Sequence, residues 1–219
     1  MADAAYRVAV WTILVGAYLR TGLVLLATVR TVTARQRFEM FRVGWVEVAC
    51  AVEPPLLLVI TWRFQERLSS PAAVTPGRAL AAVLGAALIV LAWALYAWTF
   101  ASWPTLFVGH GVLAGHQLVT RGAYGFVRHP AYLAAFLVWL SLAVGFRSTT
   151  VLTLTVLYVI PVYVLYMRSE EAMLAEFFGD QYRDYRHTVP LLVPYVSGGQ
   201  RYRERGRTDE PRRGATTSP

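Results

Sequence analysis

One stretch limits what this chain can fold into more than any other. Ala79–Ala101, ALAAVLGAALIVLAWALYAWTFA, is rich in Leu, Ala and Trp and carries no charge. A helix crossing the hydrocarbon layer needs about 20 mostly apolar residues, and a helix apolar all round has no face to offer water. The segment therefore reads as a membrane span. Four further runs have the same character. Val8–Val29 carries Arg20, and Val43–Trp62 carries Glu47, Glu53 and the pair Pro54-Pro55. Ala131–Phe146 and Ser148–Met167 are divided only by Arg147, which predicts a tight helical hairpin whose first arm is short and whose second contains Pro161. The expected fold is all-α: a polytopic membrane bundle of about five transmembrane helices. A transmembrane β-barrel is excluded, because the apolar segments are continuous rather than alternating. The first run is too long for a secretory leader and lacks a small-residue cleavage site. The whole chain agrees, with 56% hydrophobic residues and a mean hydropathy of +0.44.

The net charge is +8, and all 21 basic residues are arginines. A nucleic-acid partner does not follow, because the arginines sit in loops and tail rather than along one soluble basic face. With five spans, loops 30–42 and 102–130 and everything after 167 share one side of the membrane. That side holds Arg30, Arg35, Arg37, Arg42, Arg121, Arg128 and the basic tail, so the positive-inside rule makes it cytosolic. Residues 1–194 read as one integral membrane domain. Residues 195–219 turn to Ser, Gly, Arg, Glu, Thr and Pro, a composition that predicts a disordered basic tail. Cys50 lies inside a predicted span, so neither a disulfide framework nor a cysteine metal site is expected. No other arrangement has metal spacing, and no internal repeat is evident.

Two polar segments converge on the cytosolic side. The first runs His116-Gln-Leu-Val-Thr-Arg-Gly-Ala-Tyr-Gly-Phe-Val-Arg128-His129-Pro130-Ala-Tyr132. Its glycines permit tight turns and close approach to a ligand, and Pro130 suits the first turn of the next helix. Arg128 and His129 would then precede a helix N-terminus, which favours an anionic group. Anchoring of that helix at the headgroups explains the same residues equally well. The second segment is Arg168–Tyr185. Met173, Leu174, Phe177 and Phe178 recur at helical spacing, so the fifth span is expected to continue out of the membrane as an amphipathic helix ending at Gly179. Glu170 and Glu171 point about 100° apart on such a helix, so at most one faces a shared site. A simply solvated pair of acids is the alternative.

Together, LVTRGAYGFVRHPAY and EEAMLAEFFGDQYRDYRHTVP resemble the isoprenylcysteine carboxyl methyltransferase family, and more broadly the membrane methyltransferases that include phospholipid methyltransferases. The likeness covers about residues 110–194. It implies an S-adenosylmethionine-dependent methyltransferase with a cytosolic cofactor pocket, built by the loop before the fourth span and the helix after the fifth. By resemblance, His116, Gln117, Leu118, Val119 and Tyr124 hold the cofactor, the first four largely through backbone and apolar contact. His129, Pro130, Ala131 and Tyr132 form the signature turn around it, and Glu170 holds its ammonium end. The eukaryotic members place a substrate-orienting arginine four residues before that acid. Here that position is Tyr166 and the nearest arginine is Arg168, so Arg168 and Glu171 are the candidate catalytic residues.

The expected acceptor is lipophilic, an isoprenoid-like carboxylate or thiol, met where membrane and cytosol adjoin. Phospholipid or amine N-methylation is the alternative within the class; a small transporter or scaffold is the alternative outside it. A transporter would show matched halves with broken helices, and none is evident. Acidic residues inside spans are functional candidates by default. For Glu47 and Glu53 the competing expectation is that one of them pairs with Arg20. His110 and His187 receive no role.

Overall fold

The computed structural model describes residues 2–33, 38–42, 44–68, 74–104 and 110–193; the basic tail lies outside them. The chain is an all-α polytopic membrane protein. Among the described residues, four helical stretches are long and apolar enough to span a bilayer: Ala4–Thr31, Trp45–Gln65, Pro76–Ser102 and Thr149–Phe178. The remaining expected span is α6 (Pro130–Gly145), whose 16 residues give about 24 Å at the α-helical rise. As the sequence predicts, this arm of the hairpin is short against a hydrocarbon core of about 30 Å.

Helix α1 (Ala2–Thr33) leads to strand β1 (Phe38–Arg42), then α2 (Trp45–Ala51), α3 (Glu53–Leu68) and α4 (Pro76–Ser102). Strand β2 (His110–Leu113) and the single turn α5 (Ala123–Phe126) precede α6, which is followed by α7 (Thr149–Leu154), α8 (Ile160–Phe178) and α9 (Asp180–Thr188). Three local features follow from particular residues. The second span is broken at Val52, immediately before Glu53-Pro54-Pro55, because the ring of a proline inside a helix clashes with the carbonyl one turn back. Between α7 and α8, Thr155–Val159 is π-helical and the Ile160 amide reaches the Thr155 carbonyl. Pro161 cannot donate to Leu157, and the widened turn absorbs that missing bond. At the hairpin, Arg147 turns the chain at φ 49° and the Ser148 side chain accepts from the Val151 amide to start α7.

Helix α4 is the central post, packing most extensively against α6 and then α1. Small residues make the approach possible: a Cβ on Gly85 would lie 2.6 Å from the Gly145 Cα and 2.8 Å from Ile13 Cδ1. Close backbone contact of this kind is how membrane helices associate when lipid removes the hydrophobic drive. Ile13, Leu14, Ile89, Trp139 and Leu142 fill the core between these helices.

The two strands pair antiparallel, with Met40 opposite Val112 and Phe41 opposite Gly111. This small ribbon departs from the helix-and-loop expectation. Its pairing brings loops 30–42 and 102–130 together on one side of the bundle, the side that also receives α9.

Candidate active site

The signature turn is held from two directions. Upstream, Gly122 enters α5 at φ 63°, and any side chain there would meet Ser102 Oγ at 2.2 Å. That hydroxyl accepts from the Ala123 amide at 2.9 Å, so glycine at 122 couples the loop directly to the end of α4. Downstream, the Arg128 and His129 amides donate to the carbonyls of Pro190 and Leu191 at 2.9 and 3.2 Å. Gly179, at φ 57°, ends α8 and lets α9 fold back. Tyr182, Tyr185 and Val189 are thereby buried against Leu118, Leu174 and Phe178, and the Tyr185 hydroxyl donates to the Tyr124 carbonyl at 2.7 Å.

The paired acids separate as helical geometry requires. Glu171 is buried, and its Oε1 accepts from Arg128 Nε at 2.6 Å with His129 Nε2 at 3.4 Å. Arg128 also donates to the Arg186 carbonyl at 2.8 Å and the Val189 carbonyl at 2.5 Å. Arg128, which also lines the cavity, has its carboxylate partner in Glu171, and the pair ties α8 to the turn before α6. Glu171, expected among the catalytic residues, does not line the cavity. Glu170 does; its Oε2 accepts from the Tyr132 hydroxyl at 3.0 Å and lies 3.7 Å from His129 Nδ1, with the side chain still 26% exposed.

The cavity encloses about 220 Å³ and reaches from the ribbon down into the bundle. Of the residues singled out by resemblance, His116, Leu118, Val119, Tyr124, His129, Pro130, Ala131, Tyr132 and Glu170 all line it. Gln117 and Arg168 do not; both are exposed. Tyr166 lines the wall from one turn before Glu170, where Arg168 cannot reach because it points elsewhere on the helix. At the polar end, Trp103 and His116 lie 5.1 Å apart and His116 and Phe178 6.4 Å apart. Burial pushes the His116 imidazole down from its ordinary pKa, so it is neutral near pH 7. The Tyr124 hydroxyl is pushed up by burial and then by the Glu170 charge, and stays protonated.

Trp103, Phe178 and Tyr185 are wall residues that nothing in the sequence singles out. Their only signal was aromatic character beside the polar segments, which any interfacial aromatic shares. Of the two acids that the second span offers as functional candidates, Glu53 lines the inner end of the cavity, together with Arg20. Glu53 is the acid that pairs with Arg20, while Glu47 accepts from the Gly44 amide at 2.6 Å at the start of α2. No group of three or more metal-ligating side chains occurs among the described residues.

Residues 80–181 match the model of the phospholipid methyltransferase family. The match covers somewhat less than half of the chain. The matched segment contains α6 and α8, and with them the turn and Glu170 of the polar wall. The likeness to isoprenylcysteine carboxyl methyltransferases also holds. A protein-S-isoprenylcysteine O-methyltransferase of Schizosaccharomyces pombe is 38% identical over 84 residues, 37% of this chain and 34% of its own length. Arabidopsis thaliana protein-S-isoprenylcysteine O-methyltransferase B is 38% identical over 89 residues, 37% of this chain and 42% of its own. A methanethiol S-methyltransferase of Crocosphaera subtropica is 31% identical over 78 residues, 35% of this chain and 29% of its own. The chain thus spans well under half the length of these curated relatives, 34%, 42% and 29%.

Proposed function

We propose that this protein transfers a methyl group from S-adenosylmethionine to a lipophilic acceptor, an isoprenoid-like carboxylate or a thiol. The observation that carries this reading is the continuity of one cavity. It joins a polar, aromatic wall around Glu170 to an apolar wall of span residues that includes Leu23, Val24 and Ala27. A charged cofactor and a membrane-dissolved acceptor meet in such a space.

The residues present fit the cofactor. Trp103, neutral His116 and Phe178 offer faces for an adenine ring. Glu170 keeps exposed carboxylate surface for an ammonium group, a charge-assisted bond. Tyr132 fixes the direction of that carboxylate. When bound, the sulfonium supplies an electrophilic methyl carbon: the acceptor lone pair forms the new bond as the carbon–sulfur bond breaks, and the electron pair returns to sulfur to leave a neutral thioether. Because that leaving group needs no proton, the protein has to position the reactants and exclude water. The buried α9 tyrosines and the ribbon residues Gly111 and Val112 line the cavity on the side away from the spans. A carboxylate or thiolate acceptor requires no strong base, whereas an amine must lose a proton.

The test is calorimetric binding of S-adenosylmethionine to detergent-purified protein, followed by a screen of carboxylate, thiol and phospholipid acceptors. His129→Ala, in the signature turn, weakens cofactor binding, and His187→Ala does not. Equal affinities of the two variants, or no binding by the wild type, overturn the assignment. Methylation of phospholipid alone would favour the N-methyltransferase reading.

In this reading the polar end faces the cytosol, supported by the arginine-rich loops that the ribbon joins. In a Cys50→Ala background, Arg121→Cys is expected to label from the cytosolic face and Thr149→Cys from the opposite one. Labelling of both from the same face rejects α6 as a span.

A further inference from the structure

The inner end of the cavity lies where α1 and α3 meet α6 and α8, and its polar groups are built around Arg20. This guanidinium is 3% exposed and faces Glu53, itself 1% exposed. Arg20 Nη1 donates to Glu53 Oε2, and the other carboxylate oxygen accepts from Trp139 Nε1 at 2.6 Å. Glu53 is thus occupied on both oxygens, fixed between α1, α3 and α6. Arg20 Nη2 donates to the Tyr163 hydroxyl oxygen at 2.7 Å. Two donors remain. Arg20 Nε is buried with no hydrogen-bond partner, and the Tyr163 hydroxyl, used as an acceptor, has no acceptor for its own hydrogen among the described contacts. Arg20 and Tyr163 both line the cavity.

A buried donor left without an acceptor is costly, and the cost is greater for a charged group. If Arg20 served only to pair with Glu53, an apolar replacement of the pair would be as stable in such surroundings, and a charge inside a span marks a functional site by default. We infer that Arg20 and Tyr163 form the docking point for the acceptor's oxygen-bearing head, a carboxylate, and that Glu53 is the positioning residue that aims the guanidinium. Nitrogen–hydrogen and hydroxyl donors match carboxylate oxygens well and sulfur poorly. The pair therefore selects a lipophilic acid over the corresponding thiol. The wall beside it, Leu23, Val24 and Ala27 of α1, is apolar and suits a hydrocarbon chain. Specificity would accordingly reside where α1 faces α8, and Arg168 has no part in it.

The inference rests on the methyltransferase reading for its biological meaning, but its test does not require turnover. Farnesoic acid and farnesyl thiol serve as matched probes, titrated against detergent-purified full-length protein by intrinsic tryptophan fluorescence. The wild type is expected to bind the acid at least about tenfold more tightly than the thiol, the scale of a charge-assisted hydrogen bond. Tyr163→Phe, which keeps the ring and its packing, should reduce that preference about tenfold while leaving the melting temperature and S-adenosylmethionine affinity unchanged. Arg20→Gln should abolish the preference if it folds; Tyr163→Phe decides the matter if it does not. A wild type that binds both probes equally, or neither, overturns the docking point, as does an acid preference that survives Tyr163→Phe. Failure to bind S-adenosylmethionine with the acid preference intact would instead overturn the methyltransferase reading.

Discussion

Glu171→Ala is expected to destabilise the protein rather than to slow its chemistry. The carboxylate is 7% exposed and its partner Arg128 9% exposed, and removing one member of a buried pair typically costs about 3–5 kcal/mol because the other charge is stranded. Arg128 would keep the Arg186 and Val189 carbonyls, which places the loss near the lower bound, about 3 kcal/mol. For a chain of this size that corresponds to a fall of about 6–12 °C in melting temperature. Glu171→Gln, which retains an acceptor, should fall between wild type and the alanine variant. Thermal melting in detergent, followed by cofactor binding on the folded fraction, checks this. A Glu171→Ala protein that melts like wild type yet has lost turnover would return the residue to the chemistry and refute the tie between α8 and the signature turn.

Glu170→Gln should have the reverse signature. Its side chain is 26% exposed, and glutamine can still accept from Tyr132, so stability should change little. The negative charge offered to the cofactor's ammonium is lost. A charge-assisted hydrogen bond contributes about 1.5–3 kcal/mol, so S-adenosylmethionine affinity should drop by about tenfold or more. Arg168→Ala is the control on the same helix: exposed and away from the cavity, it should leave both cofactor affinity and turnover near wild type. Calorimetry and a turnover assay on the two variants separate the outcomes. Undiminished affinity in Glu170→Gln removes this acid from the cofactor site, and a turnover defect confined to Arg168→Ala restores an acceptor role at that position.

Much of the fold was legible because its cause is local. The run Ala79–Ala101 has no state in water that hides its surface, so it must be a span. Pro130, Gly179 and Arg147 punctuate the chain wherever they occur, and Gly179 ends α8 as expected. The β1–β2 ribbon was not legible. Its strands are short and lie far apart in sequence, and pairing between distant segments leaves no periodic trace in either.

The candidate site divides along the same line. One-dimensional spacing was enough to show that Glu170 and Glu171 cannot share a direction, and the turn's residues were recognisable as a contiguous motif. Which acid faces the cavity was decided by Arg128, because a buried guanidinium takes the carboxylate within reach and leaves the other exposed. Likewise the sequence showed that Arg20 needed a partner inside the membrane, but Glu47 and Glu53 were equivalent candidates. Packing chose Glu53, which lies beside Trp139 and Tyr163, whereas Glu47 is occupied at the start of its own helix. Sequence determined that these charges had to be satisfied, since an unpaired charge among spans is too costly to persist. Only the tertiary structure decided by whom, because partners far apart in the chain are selected by the distances that helix packing creates.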